Sequence, residues 1–321
     1  MIRFLHHDQI DKSRWDDCIG LAINGNLYAY SWYLDIVSPG WCALVEDDYE
    51  TVFPLTVSSR MGVGYIMQPY FTQQLGLYFR CMPQDEKLTE FIHFIPERYG
   101  YIDINLNSSN RIPAGIHAFD NINLELSLRP DYNTIAKAYQ ANLQRNLKKA
   151  GQNKLSLSKT VSPDEVISLF RANRGKELRH LGHGEYALVN SIACESIQKG
   201  TGEIWGALDE HKQLVAGILW VRSHQKAIFL FSALSERGKK LNAMPWLIDT
   251  FISENSGKPV TLDFEGSNNE GLARFYSSFG ATSVVYQRFV RNTLSLPLRI
   301  ALKIRRLNLT RLKNIFPLLK R

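Results

Sequence analysis

The sequence contains the same series of predicted elements twice, and this repeat constrains the fold more than any other feature. In each half, runs of apolar residues predict three strands, an apolar stripe predicts a helix, and one more strand closes the series. The closing strands are predicted at 101–104 and 260–264, and they align Asp103 with Asp263 at an offset of 160 residues. A repeat of this length predicts two domains with the same order of elements.

The helices predicted around these strands define the fold class. Helices are predicted at 130–151, after the capping box that begins at Ser162, and at 185–197. The second half therefore contains helix, helix, three strands, helix, strand, helix and strand, an order typical of an α/β fold with mixed sheets. We predict domains at 1–129 and 130–292, followed by a basic tail at 293–321.

Positive charge is concentrated at the C-terminal end of the sequence. The net charge is +7, yet the last acidic residue is Glu270, and eleven Lys or Arg residues follow it. Within 295–321, Arg299, Lys303 and Arg306 lie at i, i+4 and i+7 on one face of a predicted amphipathic helix. Such a helix can bind an anionic membrane surface. Docking on the protein and RNA binding are the alternatives.

Cysteine spacing and hydropathy exclude several classes of protein. The four cysteines are far apart, no signal-peptide core precedes Trp15, and no apolar run approaches the ~20 residues that span a bilayer. We expect a cytoplasmic protein, held peripherally on the inner face of the membrane by its tail. His180 and His183 lack the further ligands of a metal site, so no metal is expected.

The end of the second half contains a spaced motif. After the strand at 260–264 come Asn269, then Tyr276 seven residues later, then Gly280 four residues after that. This order resembles the closing signature of the GNAT acyltransferase superfamily, although Ala281 replaces the usual Phe. The resemblance implies a GNAT-like domain that transfers an acyl group.

Residues 10–290 as a whole resemble one branch of that superfamily. Two GNAT-like halves, a basic connecting helix and the run Leu-Asp-Phe-Glu-Gly-Ser at 262–267 look like the Fem-type peptidoglycan aminoacyltransferases. The segments 30–35 and 68–76 are also similar to relatives of that branch. The resemblance implies two GNAT-like domains in tandem and transfer of an acyl or aminoacyl group to an amine. That family commonly uses aminoacyl-tRNA as donor and a cell-wall precursor as acceptor.

Three residues are candidates for the chemistry of acyl transfer. The attacking amine must lose a proton, and the leaving oxygen or sulfur must gain one. Strand alternation is expected to place Asp263 and Glu265 on one face, where they bind or deprotonate the amine. The resemblance implies that Tyr276 protonates the leaving group. The structural alternatives are helix capping or ion pairing for the carboxylates and ring packing for Tyr276.

The predicted donor site departs from the coenzyme A pattern. Members that use coenzyme A usually carry Gln/Arg-x-x-Gly-x-Gly/Ala, whose backbone N–H groups bind a pyrophosphate. Arg237 is present here, but Lys240 and Asn242 fill the two glycine positions. The cations Arg237, Lys239 and Lys240 suit phosphates, including those of tRNA. Asn242 is also assigned to the donor site, and the resemblance adds Asn269. A solvated charge run is the alternative.

Five residues elsewhere are candidate contacts for the acceptor or for phosphates. Gln73 and Gln74 follow the third strand of the first half, where the family's acceptor site is expected. Arg145, Lys148 and Lys149 lie at i, i+3 and i+4 on the connecting helix and suit RNA or pyrophosphate, with a solvated face as the alternative.

These features favour an acyltransferase that acts on an amine of an envelope precursor or lipid. No permanently bound cofactor is expected; the donor co-substrate is aminoacyl-tRNA or acyl-CoA. The alternatives are a coenzyme-A-dependent N-acetyltransferase acting on a sugar or small amine, and an inactive double-GNAT binding module.

Overall fold

The computed structural model describes residues 1–294 except 61, 83–85, 114, 179–180 and 267. The predicted membrane-binding helix within 295–321 lies outside the described residues, as do Pro83, Asp85 and His180. The α-helices are α1 Lys12–Leu21, α2 Ser31–Val37, α3 Lys87–Phe94, α4 Tyr132–Lys137, α5 Ala141–Ala150, α6 Pro163–Ala172, α7 His183–Gln198, α8 Glu236–Lys240, α9 Ala243–Asn255 and α10 Glu270–Ser277. The strands are β1 Ile2–Leu5, β2 Cys42–Glu46, β3 Thr51–Leu55, β4 Val57–Arg60, β5 Val63–Met67, β6 Tyr78–Phe79, β7 Tyr99–Asn105, β8 Ala118–Ser127, β9 Ser156–Ser158, β10 Gly202–Leu208, β11 Leu214–Ser223, β12 Lys226–Leu234, β13 Thr261–Asp263 and β14 Thr282–Asn292.

The strands form two sheets, and each half of the chain contributes a parallel strand pair of the same kind. A four-stranded sheet has the order β1-β2-β3-β6, and a ten-stranded sheet has the order β4-β5-β7-β14-β8-β13-β12-β11-β10-β9. In the first half β5 pairs in parallel with β7, and in the second half β12 pairs in parallel with β13. Asp103 and Asp263 lie in these corresponding strands, beside Met67 and Ile228. The α/β fold with two similar halves is therefore confirmed.

The last strand of each half, β8 in the first and β14 in the second, completes the sheet of the other half. Strand β14, from the second half, pairs with β7 of the first half, while β8, from the first half, pairs with β13 of the second. The two exchanged strands also pair with each other. Because of this exchange the ten-stranded sheet is continuous across both halves. The domain boundary after residue 129 falls just beyond β8 and stays a prediction.

Side chains of both halves share a buried core. One cluster combines Trp15 and Trp41 of the first half with Val189, Ile204 and Leu219 of the second. Two further clusters each include side chains of an exchanged strand: Leu124 and Leu126 of β8 pack with the second half, and Phe289 of β14 packs with the first. Since apolar burial is the main driving force of folding, the halves stabilise each other.

The predicted helices are confirmed with two corrections. Helix α6 begins with the expected capping box, in which Ser162 Oγ accepts from the Glu165 N–H and the Glu165 carboxylate accepts from the Ser162 N–H. The helix predicted at 130–151 is two helices, α4 and α5. Asn242 precedes α9, but it has a left-handed backbone with φ 56° and its side chain makes no capping bond.

The strand exchange predicts that β14 stabilises the first half. Phe289 on β14 is 2% exposed and packs in the core of the first half, opposite Ile104. We expect Phe289→Ala to lower the free energy of unfolding by about 3–5 kcal/mol, because it leaves a cavity in that core. Val285 on the same strand is 51% exposed, so Val285→Ala is the control. Equal losses in the two variants, measured by urea denaturation, would contradict this role of β14.

Candidate active site

The candidate site lies where β13 ends and the chain turns toward α10. The predicted strand through Phe264 is wrong in extent, because β13 ends at Asp263 and Glu265 has a left-handed backbone with φ 54°. A Cβ at Gly266 would lie 2.2 Å from the carbonyl oxygen of Ile122, so the turn can press against β8 only with glycine there. Asp263 and Glu265 therefore lie together through this turn and not through strand alternation.

Asp263 is buried and is fully engaged in holding the turn. Its carboxylate accepts from Asn123 Nδ2 at 3.0 Å, from the Glu265 N–H at 2.9 Å and from Lys226 Nζ at 3.3 Å. Lys226 Nζ also donates to Glu125 Oε1 at 2.6 Å. Burial opposes the charge of Lys226, but the two carboxylates outweigh it and raise its pKa, so the ammonium persists. Asp263 is thus a paired buried charge.

Glu265 has the most perturbed carboxyl group of the site. The Tyr28 hydroxyl, from the first half, donates a hydrogen bond to its Oε1. Burial of this carboxyl raises its pKa well above the ordinary value, and the charge of Asp263 adds to the rise, while the bond from Tyr28 opposes it. A carboxyl group with a raised pKa suits proton transfer near neutral pH.

Four tyrosines surround Glu265. Burial raises the pKa of each phenol and the charge of Glu265 raises it further, to about 12 for one of the four. They are Tyr28, Tyr33, Tyr276 and Tyr286, and the value of about 12 belongs to Tyr286. These phenols remain neutral. Tyr28 and Tyr33 already donate their O–H, to Glu265 and to the Phe71 carbonyl, which leaves Tyr276 and Tyr286 to donate to a reacting group.

The ring of Tyr276 packs against other aromatic rings, which is the structural role expected of it as the alternative to catalysis. It stacks on Phe264 with a centroid distance of 4.7 Å and an interplanar angle of 21°. Its hydroxyl makes no hydrogen bond to any residue that the structure describes. Tyr276 is therefore fixed by its ring and leaves its hydroxyl available, and its part in catalysis stays a prediction.

Gln73 and Gln74 connect the first half to this turn. Gln74 Nε2 donates to Gln73 Oε1 at 2.7 Å, and Gln73 Nε2 donates to Asn123 Oδ1 at 3.2 Å. Asn123 in turn donates to Asp263. A chain of amides therefore joins the predicted acceptor residues to the predicted catalytic carboxylates.

Sequence reasoning missed four residues of this site: Tyr28, Asn123, Lys226 and Tyr286. A signal existed for one of them, since Asn121, Asn123 and Glu125 alternate along one face of β8. Polar side chains on a face that meets another strand indicate a polar network. Tyr28 had no such signal, because it reaches Glu265 across 237 residues of sequence.

The segment predicted as a donor-binding loop is helical, since α8 spans Glu236–Lys240, and it contains ion pairs of its own. Arg237 Nε donates to Asp209, and Arg237 Nη2 lies 3.4 Å from Glu210 Oε1. Lys239 pairs with Glu236 at 2.5 Å. Lys240 is exposed and has no carboxylate partner among the residues described. Two of the three cations are therefore neutralised.

The other predicted contacts with phosphates lie on helix α5. Arg145, Lys148 and Lys149 are exposed on α5. Just after that helix, Asn153 Nδ2 donates to the carbonyl of Leu241 at 3.1 Å. The end of α5 therefore lies beside the end of α8, where Lys240 is located.

Asn269 forms the N-cap of α10. Its side-chain oxygen accepts from the N–H groups of Gly271 and Leu272 at 3.0 and 3.1 Å. A donor-binding role for Asn269 therefore stays a prediction.

The described residues contain neither a cluster of metal ligands nor a helix that could span a membrane. No group of three or more His, Cys, Asp or Glu side chains there is arranged to hold a metal ion. Among the helices that the structure describes, none combines the length and apolar content needed to cross a bilayer.

The fold is similar to that of several solved structures. FemX matches with a TM-score of 0.63 and 10% identity, over 89% of this chain and 96% of its own. A C-terminal domain assigned to a lysylphosphatidylglycerol synthetase from Agrobacterium fabrum matches with a TM-score of 0.55 and 12% identity, over 91% and 95%. A protein of unknown function from Bacteroides thetaiotaomicron matches with a TM-score of 0.57 and 10% identity, over 87% and 92%. No family model and no curated protein sequence matches. The chain therefore has a Fem-like, GNAT-type fold with two GNAT-like domains in tandem.

The raised pKa of Glu265 predicts how stability depends on pH. The unfolded chain loses this proton near pH ~4.3, so above that pH the folded state binds more protons and its stability falls as pH rises. Glu265→Gln removes this loss. We expect its melting temperature to exceed that of the native protein by a margin that grows from about pH 4 to about pH 7. Glu97→Gln, at an exposed position, is the control. A margin that is constant with pH would rule out the raised pKa.

Proposed function

We propose that the protein transfers an acyl or aminoacyl group from an activated ester or thioester to an amine. The observation that carries this proposal is the Glu265 carboxyl, which Tyr28 holds between the two halves and whose pKa burial raises well above the ordinary value. The Fem-like fold supports the same reaction, because similar structures include FemX and a domain assigned to a lysylphosphatidylglycerol synthetase. Acyl transfer to an amine requires one group that accepts a proton and one that donates it.

In the proposed mechanism Glu265 accepts the proton. The amine arrives as ammonium, loses a proton to the ionised Glu265 and attacks the carbonyl carbon of the donor. Asp263 positions Glu265 through the bond that it accepts from the Glu265 N–H, and Lys226 pairs with the Asp263 carboxylate. The charge of Asp263 also favours the ammonium form of the incoming amine.

The leaving group then requires a proton as the tetrahedral intermediate collapses. Tyr276 donates it from a neutral phenol, held in place by stacking on Phe264. The carbonyl re-forms and the bond to the leaving oxygen or sulfur breaks. The nitrogen, now part of the amide, gives its second proton to the Tyr276 phenolate, and Glu265 retains the first.

The proposed donor is an aminoacyl-tRNA. Side chains at Lys240 and Asn242 obstruct the close backbone approach to phosphate that a coenzyme A loop needs. The cations of α5 and Lys240 form an exposed basic surface on the second half, which suits a phosphodiester backbone.

The proposed acceptor is an amine of an envelope precursor or lipid. A similar domain assigned to a lysylphosphatidylglycerol synthetase favours an acceptor at a membrane. The basic segment 295–321 would hold the protein at an anionic membrane surface.

Donor identity is tested by comparing three ligands on the purified full-length protein: charged tRNA, acetyl-CoA and a long-chain acyl-CoA. We expect saturable binding of charged tRNA only, weakened severalfold when Lys148 and Lys149 are changed to Gln. Lys258→Gln, on a different loop, is the control. Tight binding of either thioester would replace the tRNA proposal with the coenzyme-A-dependent one. Binding of none would favour an inactive binding module.

The acid and base roles are tested by the pH dependence of kcat. We expect Glu265→Gln and Tyr276→Phe each to lower kcat by about 10²–10⁴-fold, the usual contribution of one proton-transfer group. Glu265→Gln should also flatten the rising limb of the pH profile. Because burial raises the pKa of Tyr276, Tyr276→Phe should lower kcat by the same factor across the accessible pH range. Tyr65→Phe, away from the site, is the control. Unchanged turnover in Tyr276→Phe would exclude its role as the acid.

A further inference from the structure

A cavity of about 380 Å³ lies in the first half, where the hairpin of β4 and β5 meets the beginning of β7. This volume is within the range of small-molecule sites. Ser59, Gly64 and Tyr99 line the cavity in one row, because Ser59 pairs with Gly64 and Gly64 pairs with Tyr99. A Cβ at Gly64 would lie 2.8 Å from the carbonyl oxygen of Arg98, so the strands can approach this closely only with glycine there.

The cavity contains a guanidinium group that has no carboxylate partner in the described part of the chain. The guanidinium carbon of Arg98 lies 5.0 Å from the ring centre of Phe4 and 5.2 Å from that of Tyr99, and Nη2 donates to the Tyr99 hydroxyl at 3.3 Å. Two aromatic rings therefore hold the cation in place. A guanidinium has several N–H donors in a planar fork, and those not used by Tyr99 suit a group with several acceptor oxygens.

A hydroxyl and backbone N–H groups lie beside this guanidinium. Ser59 is exposed, and its hydroxyl makes no hydrogen bond to any residue that the structure describes. Strand β4 ends the ten-stranded sheet and has β5 as its neighbour, so alternate N–H groups of β4 face away from β5. All of these groups donate hydrogen bonds. Together with Arg98 they suit a phosphate, which is an anion with several acceptor oxygens.

The basic segment 295–321 begins next to this cavity. The Thr293 N–H donates to the carbonyl of Gly100 at 2.9 Å, and a Cβ at Gly100 would lie 2.6 Å from Leu294 Cδ2. Gly100 is two residues from Arg98 in the sequence. The segment contains eight Lys or Arg and no Asp or Glu. The most basic part of the chain therefore starts at the end of the molecule that holds the Arg98 guanidinium.

An exposed aromatic ring lies at the same end of the molecule. Phe94, the last residue of α3, is 47% exposed. Arg291 of β14 donates to the carbonyls of Ile92 and Ile95 at 3.2 and 3.5 Å, which ties the end of α3 to the end of β14. Exposed aromatic side chains beside cations are typical of surfaces that enter the headgroup layer of a membrane.

We propose that the Arg98 cavity binds the phosphate of an anionic phospholipid and orients the protein on the membrane. Arg98 binds two phosphate oxygens through its planar fork, and Ser59 donates to a third. The segment 295–321 supplies attraction to the surface, and the cavity fixes which end of the protein faces it. A soluble phosphate has the same chemistry, but the adjoining basic segment and Phe94 favour a lipid. The inference rests on the proposed function only for the membrane location of the acceptor.

Vesicle binding by the full-length protein tests the proposal. Co-sedimentation is measured with vesicles of equimolar phosphatidylglycerol and phosphatidylcholine. Arg98→Lys keeps the charge but removes the planar fork, so we expect about tenfold weaker partitioning, the effect of losing about one hydrogen bond to a charged group. Arg129→Lys, at an exposed position just after β8, is the control and should partition like the native protein. Ser59→Ala should weaken partitioning severalfold, with Ser253→Ala on α9 as its control.

The outcomes separate a lipid site from the alternatives. Equal partitioning of Arg98→Lys and Arg129→Lys would show that net charge alone matters and would overturn the site. Binding of inorganic phosphate that depends on Arg98, without a difference on vesicles, would assign the cavity to a soluble phosphate and overturn the lipid proposal. The melting temperature of each variant reports its folding, and the serine variants decide the question if Arg98→Lys does not fold. Vesicle binding is measured without donor or acceptor, so its failure leaves acyl transfer untouched, and absence of turnover in a separate assay would overturn only the proposed function.

Discussion

The reciprocal pairing of β8 and β14 is the constraint on which both the Glu265 site and the surroundings of Asp103 depend. Each strand leaves its own half and pairs with the parallel strand pair of the other half. Asn123 and Glu125 reach the second half in this way, and Arg288 reaches the first. Without the exchange, Asp263 would lose Asn123 as a partner and Asp103 would lose Arg288, so two buried carboxylates would be left with fewer of their compensating bonds.

Charge pairing explains why the two carboxyl groups of the turn behave differently. Asp263 has Lys226, Asn123 and a backbone N–H as partners, whereas Glu265 has the Tyr28 hydroxyl and the nearby negative charge of Asp263. The free energy of a buried charge depends on such partners. Asp263 is therefore paired by three donors, while burial raises the pKa of Glu265 well above its ordinary value. A positioned anion beside a group that accepts protons is a useful arrangement for deprotonating an ammonium.

Local patterns in the sequence predicted the elements but not how they pair. Apolar periodicity was sufficient for α3, α9 and the repeated strands, and the capping box at Ser162 located α6. Strand exchange joins residues far apart in sequence, and no local pattern specifies it. The turn at Glu265 was missed because a left-handed glutamate is rare and depends on the fit of Gly266 against β8. The motif residues Asp263, Glu265 and Tyr276 were nonetheless selected from sequence, because they follow a predicted strand at a spacing that the superfamily shares.

The difference between Asn105 and Glu265 shows how a repeated scaffold can carry different chemistry at corresponding positions. Both follow an aspartate at the end of a strand paired in parallel, and both aspartates are neutralised, one by Arg288 and one by Lys226. An amide at that position gives a fixed donor and acceptor, and a carboxyl group adds a proton that can be exchanged. The bonds that Gln73 makes to Asn105 and to Asn123 join the two positions. The two corresponding positions therefore differ in chemistry, because Glu265 can accept a proton and Asn105 cannot.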